Sequence, residues 1–498
     1  MADLPALQAI PARPDTTGGS SAPALTLLAA AIAGVVAQGG FYTPGRILVS
    51  ALALLAFALA VPWRRPIDRD LRGVGIAAAA IAAWALLRAA TAGGLADAAG
   101  ICLALMTLLA GIAAARRARP ADLALGLTGL GVLVALTAWA GVAWRIGRWA
   151  VLVESTLWRG ASTLTYPNAA AAILAVAGLL ALALLLAEPG SWVRALALYL
   201  ILAGLGAALS RAGLLAFGAG ALVFTVLAPH RLAGREQDAG GAQGNRARLA
   251  RQRRVLRHLV PAALYPAVAT GLARQRRVLR HLVPAALGAA VATAALVPSF
   301  PANAAPEPLL AVGGLIAGGL IALVRPIFGV ALAAAGGAAA LALSPSTLDT
   351  VLRRRFTLAS QGRAGALRSA LDQAGEHPLL GRGPGQARYF WLDFEGKLVV
   401  SRWVHNEYLQ WLVDLGAVGL AALLGLVVAL VMLVRRGRTD NPLWTGAVAA
   451  IAALAVHSAF DFLWELAVVP LIVGVLAGMA GPPHGEENTP PSQNGEAQ

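Results

Sequence analysis

The chain has 498 residues, 58% of them hydrophobic and 13% charged, with 40 basic against 24 acidic side chains and a mean hydropathy of +0.70. Soluble domains carry about 45–50% apolar and about 25% charged residues, so a water-soluble fold, a disordered chain and a collagen-like repeat are excluded. The single cysteine, Cys102, excludes an intrachain disulfide and a cysteine-based metal cluster.

What remains is an all-α, polytopic integral membrane helix bundle. Crossing a bilayer takes about 20 consecutive apolar residues, and by that criterion about fourteen runs qualify, so a bundle of about 12–14 spans is expected. In chain order the runs are 22–38, 47–62, 73–90, 95–115, 123–140, 168–187, 193–209, 212–228, 279–298, 309–324, 327–344, 407–434, 443–462 and 468–481.

The charge of +16 is almost all arginine; Lys397 is the only lysine. In a soluble protein such a balance points to nucleic acid. In a membrane protein it reports cytoplasmic anchoring loops, so the bilayer is expected as a partner and nucleic acid is not. Arginine clusters follow spans two (Arg64, Arg65, Arg69, Arg72), four (Arg116, Arg117, Arg119), eight (the 229–278 loop) and twelve (Arg435, Arg436, Arg438). All fall on one side, the cytoplasmic side. Both termini, 1–21 and 482–498, are polar, expected to be disordered, and cytoplasmic; the first 21 residues lack the pattern of a cleavable signal peptide. The membrane helices divide into 22–165, 166–344 with the basic cytoplasmic loop 229–278, and 405–481. The loop contains a tandem repeat: LARQRRVLRHLVPAA at 249–263 recurs at 272–286. Two copies make no solenoid. The first reads as an added amphipathic, lipid-surface segment without a catalytic role.

On the opposite, external face lies one large loop, 345–404, rich in arginine, just before span twelve. Long loops escape the positive-inside rule, and a basic loop above an apolar bundle suits an anionic ligand with a lipid tail. Ser210-Arg211 fills a turn between two apolar helices, where an arginine is costly unless it has a task or reaches the interface. His405-Asn406-Glu407-Tyr408 opens span twelve, placing an imidazole at a helix N-terminus that favours anions. The glycine-rich stretch His377 to Gly385 allows close backbone approach, but it lacks the GK[ST] element of a nucleotide loop. No HExxH or paired metal-ligand spacing occurs.

Together these strings resemble the O-antigen ligase and polymerase superfamily of bacterial envelope glycosyltransferases. The resemblance rests on Tyr166-Pro167-Asn168-Ala169, on Leu209-Ser210-Arg211-Ala212-Gly213, and on Gly362-Arg363 followed by the His377–Gly385 stretch. It rests most specifically on His405-Asn406-Glu407-Tyr408-Leu409-Gln410 continuing to Gly419, with His457-Ser458-Ala459-Phe460-Asp461-Phe462 after it. It covers roughly Tyr166 to Gly478; tyrosine replaces the first asparagine of the family's NPNA-like entry at Tyr166.

The resemblance implies an enzyme of the bacterial inner membrane with its active face in the periplasm. Such enzymes move a glycan from an undecaprenyl-diphosphate carrier to an acceptor hydroxyl on lipid A–core, a growing polysaccharide or a protein. They need no metal or nucleotide cofactor. Two arginines and one histidine carry the family's function; they map to Arg211, Arg363 and His405, with Arg355 and Arg368 competing for the place of Arg363. Arg382, Glu407, Tyr408, Asn168 and Ser210 are further substrate-binding candidates, and Glu407 and Tyr408 are also candidates to orient the imidazole. A polymerase of the same superfamily and, from another class, a small-anion transporter stand as alternatives.

Overall fold

The computed structural model describes residues 21–60, 69–153, 156–228, 265–323, 361–392 and 396–482, with backbone alone at 69–70, 265–274 and 361–363. Among the described residues the chain forms fourteen α-helices and two short hairpins. The first eight helices are α1 (Ser21–Val36), α2 (Thr43–Ala60), α3 (Arg69–Ala92), α4 (Leu95–Ala115), α5 (Pro120–Ala143), α6 (Pro167–Ala187), α7 (Trp192–Ala208) and α8 (Arg211–Leu227). The remaining six are α9 (Tyr265–Leu296), α10 (Pro308–Leu323), α11 (Gln361–Glu376), α12 (Glu407–Arg436), α13 (Pro442–Ser458) and α14 (Val468–Ala480). Strands β1 (Ala150–Val153) and β2 (Leu157–Gly160) pair antiparallel, as do β3 (Tyr389–Leu392) and β4 (Leu398–Ser401).

Among the described residues seven helices are long and apolar enough to cross a membrane, and large apolar side chains such as Leu55, Ile76, Leu133 and Val428 stand exposed on their outer faces. An exposed apolar belt of this kind calls for lipid rather than water; this is a multi-pass helical membrane bundle. Every expected run on described residues carries a helix, while 327–344, the first repeat copy, 345–360 and both outermost termini lie outside the described residues.

Helix α6 is the hub. Its spanning window is entirely buried, enclosed by α5, α7, α8 and α13. Its Ala/Leu surface lets neighbours approach closely without polar groups. The closest approaches use glycine. A Cβ at Gly474 of α14 would stand 2.4 Å from the Leu108 carbonyl of α4, and one at Gly288 of α9 would stand 2.2 Å from the Gly318 carbonyl of α10.

Two expectations change. The basic loop does not run to 278: α9 begins at Tyr265, and the second repeat copy is part of it. The Leu, Ala, Arg and Gln residues of that copy are strong helix formers, so the span pattern extends into the preceding charged segment. Within the 345–404 segment, the described residues 361–392 and 396–404 form a helix and a hairpin. Ala366, Ala370 and Ala374 line one face of α11 and pack with Tyr389, Val404 and Val413, while Gln373 Nε2 donates to the Arg388 carbonyl at 2.8 Å.

Short connections sort into two ends of the bundle. At one end Arg46 reaches Glu465, Arg88 reaches the 380–381 carbonyls, Arg145 reaches the 301 carbonyl, Arg159 reaches Ala208, and Arg402 pairs with Asp97. At the other end Arg116 reaches Pro482 and Gly437 adjoins Gly481. The candidate site residues lie at the first end, and the described members of the arginine clusters, Arg72, Arg116, Arg117, Arg119, Arg435, Arg436 and Arg438, lie at the second.

Two outcomes follow. Reporter domains inserted at Gly240 and at Gly396, where a side chain meets open space, should report opposite sides of the membrane. Gly474→Leu should lower the thermal unfolding midpoint in detergent by overpacking α4 against α14, a cost of about 1–3 kcal/mol.

Candidate functional site

The polar residues of the resembling strings sit at helix starts on one face. Pro167 opens α6 and places Asn168 in its first turn. Ser210 caps α8, its Oγ accepting from Gly213 N–H at 3.2 Å. Asn406 caps α12, its Oδ1 accepting from Leu409 N–H at 3.0 Å, and His405 immediately precedes that cap. Serine and asparagine suit these places because their side-chain oxygens satisfy N–H groups that the first turn leaves free.

These starts are joined through Asp461, which lies in the connection between α13 and α14 and is fully buried. Its carboxylate accepts from the Tyr166 hydroxyl at 2.6 Å, Asn168 Nδ2 at 2.7 Å, and its neighbour Phe462 N–H at 3.0 Å; His405 Nδ1 lies 3.1 Å away. Burial by itself pushes this carboxyl up. The hydrogen bond and charge of His405, with the Tyr166 hydroxyl and the His457 charge behind them, outweigh it and hold Asp461 below the ordinary carboxylate value.

Asn168 carries the linkage onward. Its Oδ1 accepts from Ser210 Oγ at 2.9 Å and from Arg159 Nη2 at 3.0 Å, and Arg159 Nε also donates to the Ala208 carbonyl at 2.9 Å. The partners settle the amide's orientation, because turning it over would set its N–H against the Arg159 guanidinium and its oxygen against the Asp461 carboxylate. The result is a continuous chain from Ser210 through Asn168 and Asp461 to His405. Arg211, the first residue of α8 and only partly buried, is thereby held at this end of the bundle beside the same network.

Backbone strain collects here. Six described non-glycine residues have left-handed φ, and five of them, Gln38, Ser162, Thr165, Leu209 and His405, flank the network. Each costs on the order of 1–3 kcal/mol, and such residues persist where surrounding contacts hold them. Phe462 completes the surroundings: it stacks on Tyr166 at 5.4 Å and on Trp403 at 5.1 Å, with the imidazole tilted against it at 5.1 Å.

The other candidates stand apart from the imidazole. Glu407 is buried but accepts from Trp411 Nε1 at 3.1 Å and from Trp464 N–H at 3.4 Å; the Tyr408 hydroxyl donates to the Ala455 carbonyl at 2.8 Å. Asp461, not Glu407 or Tyr408, orients His405. Arg382 pairs with Glu376, and the glycine-rich turn spends its N–H groups on α12: Arg382 N–H on Val413 O at 2.8 Å and Gly383 N–H on Asp414 O at 2.9 Å. That turn braces the kink of α12 at Gly416, whose φ is +69°. Arg363 is the third residue of α11, which packs on β3 and α12; its side chain lies outside the described atoms.

Sequence reasoning missed Asp461 as the imidazole's partner, the part of the Tyr166 hydroxyl, and Arg159 altogether. The available signals were a lone acid in an apolar HSAFDF string and an arginine in the apolar LWRG string. Among the described residues, no three His, Cys, Asp or Glu side chains are grouped to hold a metal ion.

Chemically the arrangement is a base with a fixed tautomer. With Asp461 ionised, Nδ1 keeps its proton and donates it, leaving Nε2 as the acceptor nitrogen. The His405 side chain is 30% exposed, enough for one edge to meet a ligand.

No protein-family model matches the chain, and no curated protein matches it.

Asn168→Ala would leave Arg159, Ser210 and Asp461 short of partners and should destabilise the solubilised protein by about 1–3 kcal/mol, read as a lowered unfolding midpoint. Because Asp461 is depressed in the fold, the stability it contributes is complete at neutral pH and is lost as pH falls through its folded value. Asp461→Ala should flatten that acid limb of the midpoint-versus-pH curve.

Proposed function

We propose that this chain is an O-antigen ligase-like glycosyltransferase. It moves a glycan from an undecaprenyl-diphosphate carrier to an acceptor hydroxyl at the outer face of the bacterial inner membrane. The observation that carries the reading is the Ser210–Asn168–Asp461–His405 chain. Four of the strings behind the resemblance, distant in sequence, contribute to one hydrogen-bonded unit. The arginine clusters at the opposite end favour a cytoplasmic setting for that end, which turns the site outward.

In this reading His405 Nε2 takes the proton of the acceptor hydroxyl as its oxygen attacks the anomeric carbon. The bond between that carbon and the diphosphate breaks, and the electron pair leaves with the lipid diphosphate. Direct displacement inverts the anomeric centre. Asp461 keeps the imidazole in the receptive tautomer and stabilises the imidazolium that forms, the division of labour of histidine–aspartate pairs in general. Arg211 and Arg363 bind the diphosphate, where charge grows in the transition state and fixed guanidinium groups are most useful away from bulk water. Arg159 is a positioning residue, tying the Ala208 carbonyl ahead of Arg211 to Asn168.

Transport of a small anion fits less well. The ≈ 60 Å³ cavity among α2, α4 and α12 is lined by Asp97, Glu407, Asp414 and Glu465 against one arginine, Arg46, which leaves one cationic group to hold an anion. A polymerase of the same superfamily would use the identical chemistry with a second lipid-linked glycan as acceptor.

With purified lipid-linked donor, His405→Ala and Arg211→Ala should abolish transfer while membrane abundance stays normal; full transfer by either variant would refute the assignment. Asp461→Asn presents an amide N–H to Nδ1 and so favours the wrong tautomer. Its transfer rate should drop roughly 10²–10⁴-fold, the range that base catalysis supplies. Offering lipid A–core, a protein, or lipid-linked repeat units as acceptor separates ligase from polymerase.

A further inference from the structure

A cavity of ≈ 180 Å³ opens beside the network, lined by Phe41, Tyr42, Tyr166 and Phe462 together with the polar Gln38 and Thr165. Its aromatic wall is continuous with the imidazole. Phe462 stands between the cavity and the ring column, stacked on Tyr166 and Trp403, and its centroid is 5.1 Å from that of His405. Phe41 meets Tyr42 edge-on at 5.3 Å and Trp403 at 6.4 Å, so the column continues around the opening. Two lining residues are strained. Gln38 has φ +56° and Thr165 φ +55°, and a left-handed conformation is a marked outlier for a β-branched residue. The fold tolerates this cost on both loops that bring the rings together.

We infer that this cavity is a pyranose-binding subsite that holds a sugar ring against the aromatic wall, one ring (Phe462) away from His405. The inference builds on the transferase reading and names its substrate class at that position. The electron-rich face of an aromatic ring attracts the weakly positive C–H edge of a partner, and one face of a pyranose presents such C–H groups over about the area of one ring. Its hydroxyls need donors and acceptors around the rim, which the Gln38 amide, the Thr165 hydroxyl and the Tyr42 phenol supply. A prenyl chain would use the rings but leave those polar groups unpaired, and a few placed polar groups in an aromatic pocket are the mark of a site for an oriented polar ligand. A ring seated here rests on Phe462, which the His405 imidazole meets at 5.1 Å, so it lies one aromatic ring from the proposed base and suits a sugar of the acceptor near its reacting hydroxyl. The first sugar of the donor shares the same chemistry.

The test uses the full chain in nanodiscs and saturation-transfer NMR with millimolar methyl glucoside, galactoside, rhamnoside and N-acetylglucosaminide as probes, sorbitol as the open-chain control and farnesol as the apolar one. At least one pyranoside should receive saturation at its ring protons and sorbitol should not. Tyr42, 62% exposed, can be removed without disturbing the core. Tyr42→Ala and Phe41→Leu should weaken binding roughly 3- to 10-fold, the worth of one aromatic contact, and Phe41→Tyr should restore it. No pyranoside signal, or occupation by farnesol that pyranosides do not relieve, would overturn the subsite. In transfer assays a KM rise confined to the acceptor in Tyr42→Ala assigns the acceptor sugar, one confined to the donor assigns the donor sugar, and unchanged values for both overturn the inference. Pyranoside binding without transfer to any acceptor would sink the transferase reading alone. Transfer that depends on His405 but shows no pyranoside binding would sink the subsite alone.

Discussion

A carboxylate buried at the end of an apolar bundle governs this structure. Leaving water costs an ionised acid several kcal/mol even after relaxation, so Asp461 must collect donors beyond the Phe462 N–H of its own connection. It takes them from Tyr166 and Asn168 at the start of α6 and from His405 ahead of α12. Through Asn168 it is also coupled to Ser210 at the start of α8 and to Arg159 on β2. One buried charge therefore draws together segments separated by hundreds of residues.

That convergence relies on the position of α6. Because the helix is enclosed on all sides, its first turn is a fixed point to which the outer helices are referred. The packing that encloses it is made of small residues. Alanine and glycine let helix axes approach until backbones touch, as at Gly474 and Gly288, and close axes permit the two-residue turns at the site face. Such turns force the chain into the left-handed conformations at Leu209 and Thr165, and the short connection from β4 to α12 does the same at His405. Apolar packing thus supports the strain that aims the imidazole, and the rigidity of the bundle and the precision of the site have a common origin.

The same face keeps two electrostatic environments apart. Around His405 a single carboxylate is saturated with donors, and the imidazole has a defined tautomer. One turn into the bundle, Glu407 and Asp414 face Arg46, Asp97 and Glu465 around a separate small cavity. Helix geometry makes the separation: His405 precedes the Asn406 cap, whereas Glu407 belongs to the helix and reaches Trp411 one turn on. Two residues adjacent but one in sequence end in different surroundings.

The sequence by itself determined the class, a multi-pass helical bundle, and where its helices run among the described residues. Lipid permits few solutions, and long apolar runs broken by arginine declare them. It also placed Asn168, Ser210 and His405 at helix starts, where local capping chemistry selects residue type. It did not determine the helix and hairpin within 345–404, nor the extension of α9 to Tyr265, because short amphipathic segments read alike until a packing partner is known. Tertiary structure alone decided that Asp461 serves the imidazole and Glu407 does not, that Arg159 ties the network, and that the glycine-rich turn braces α12. Those are facts about distance between segments far apart in the chain. Such distances are set by how closely helices pack, which no local pattern of residues encodes.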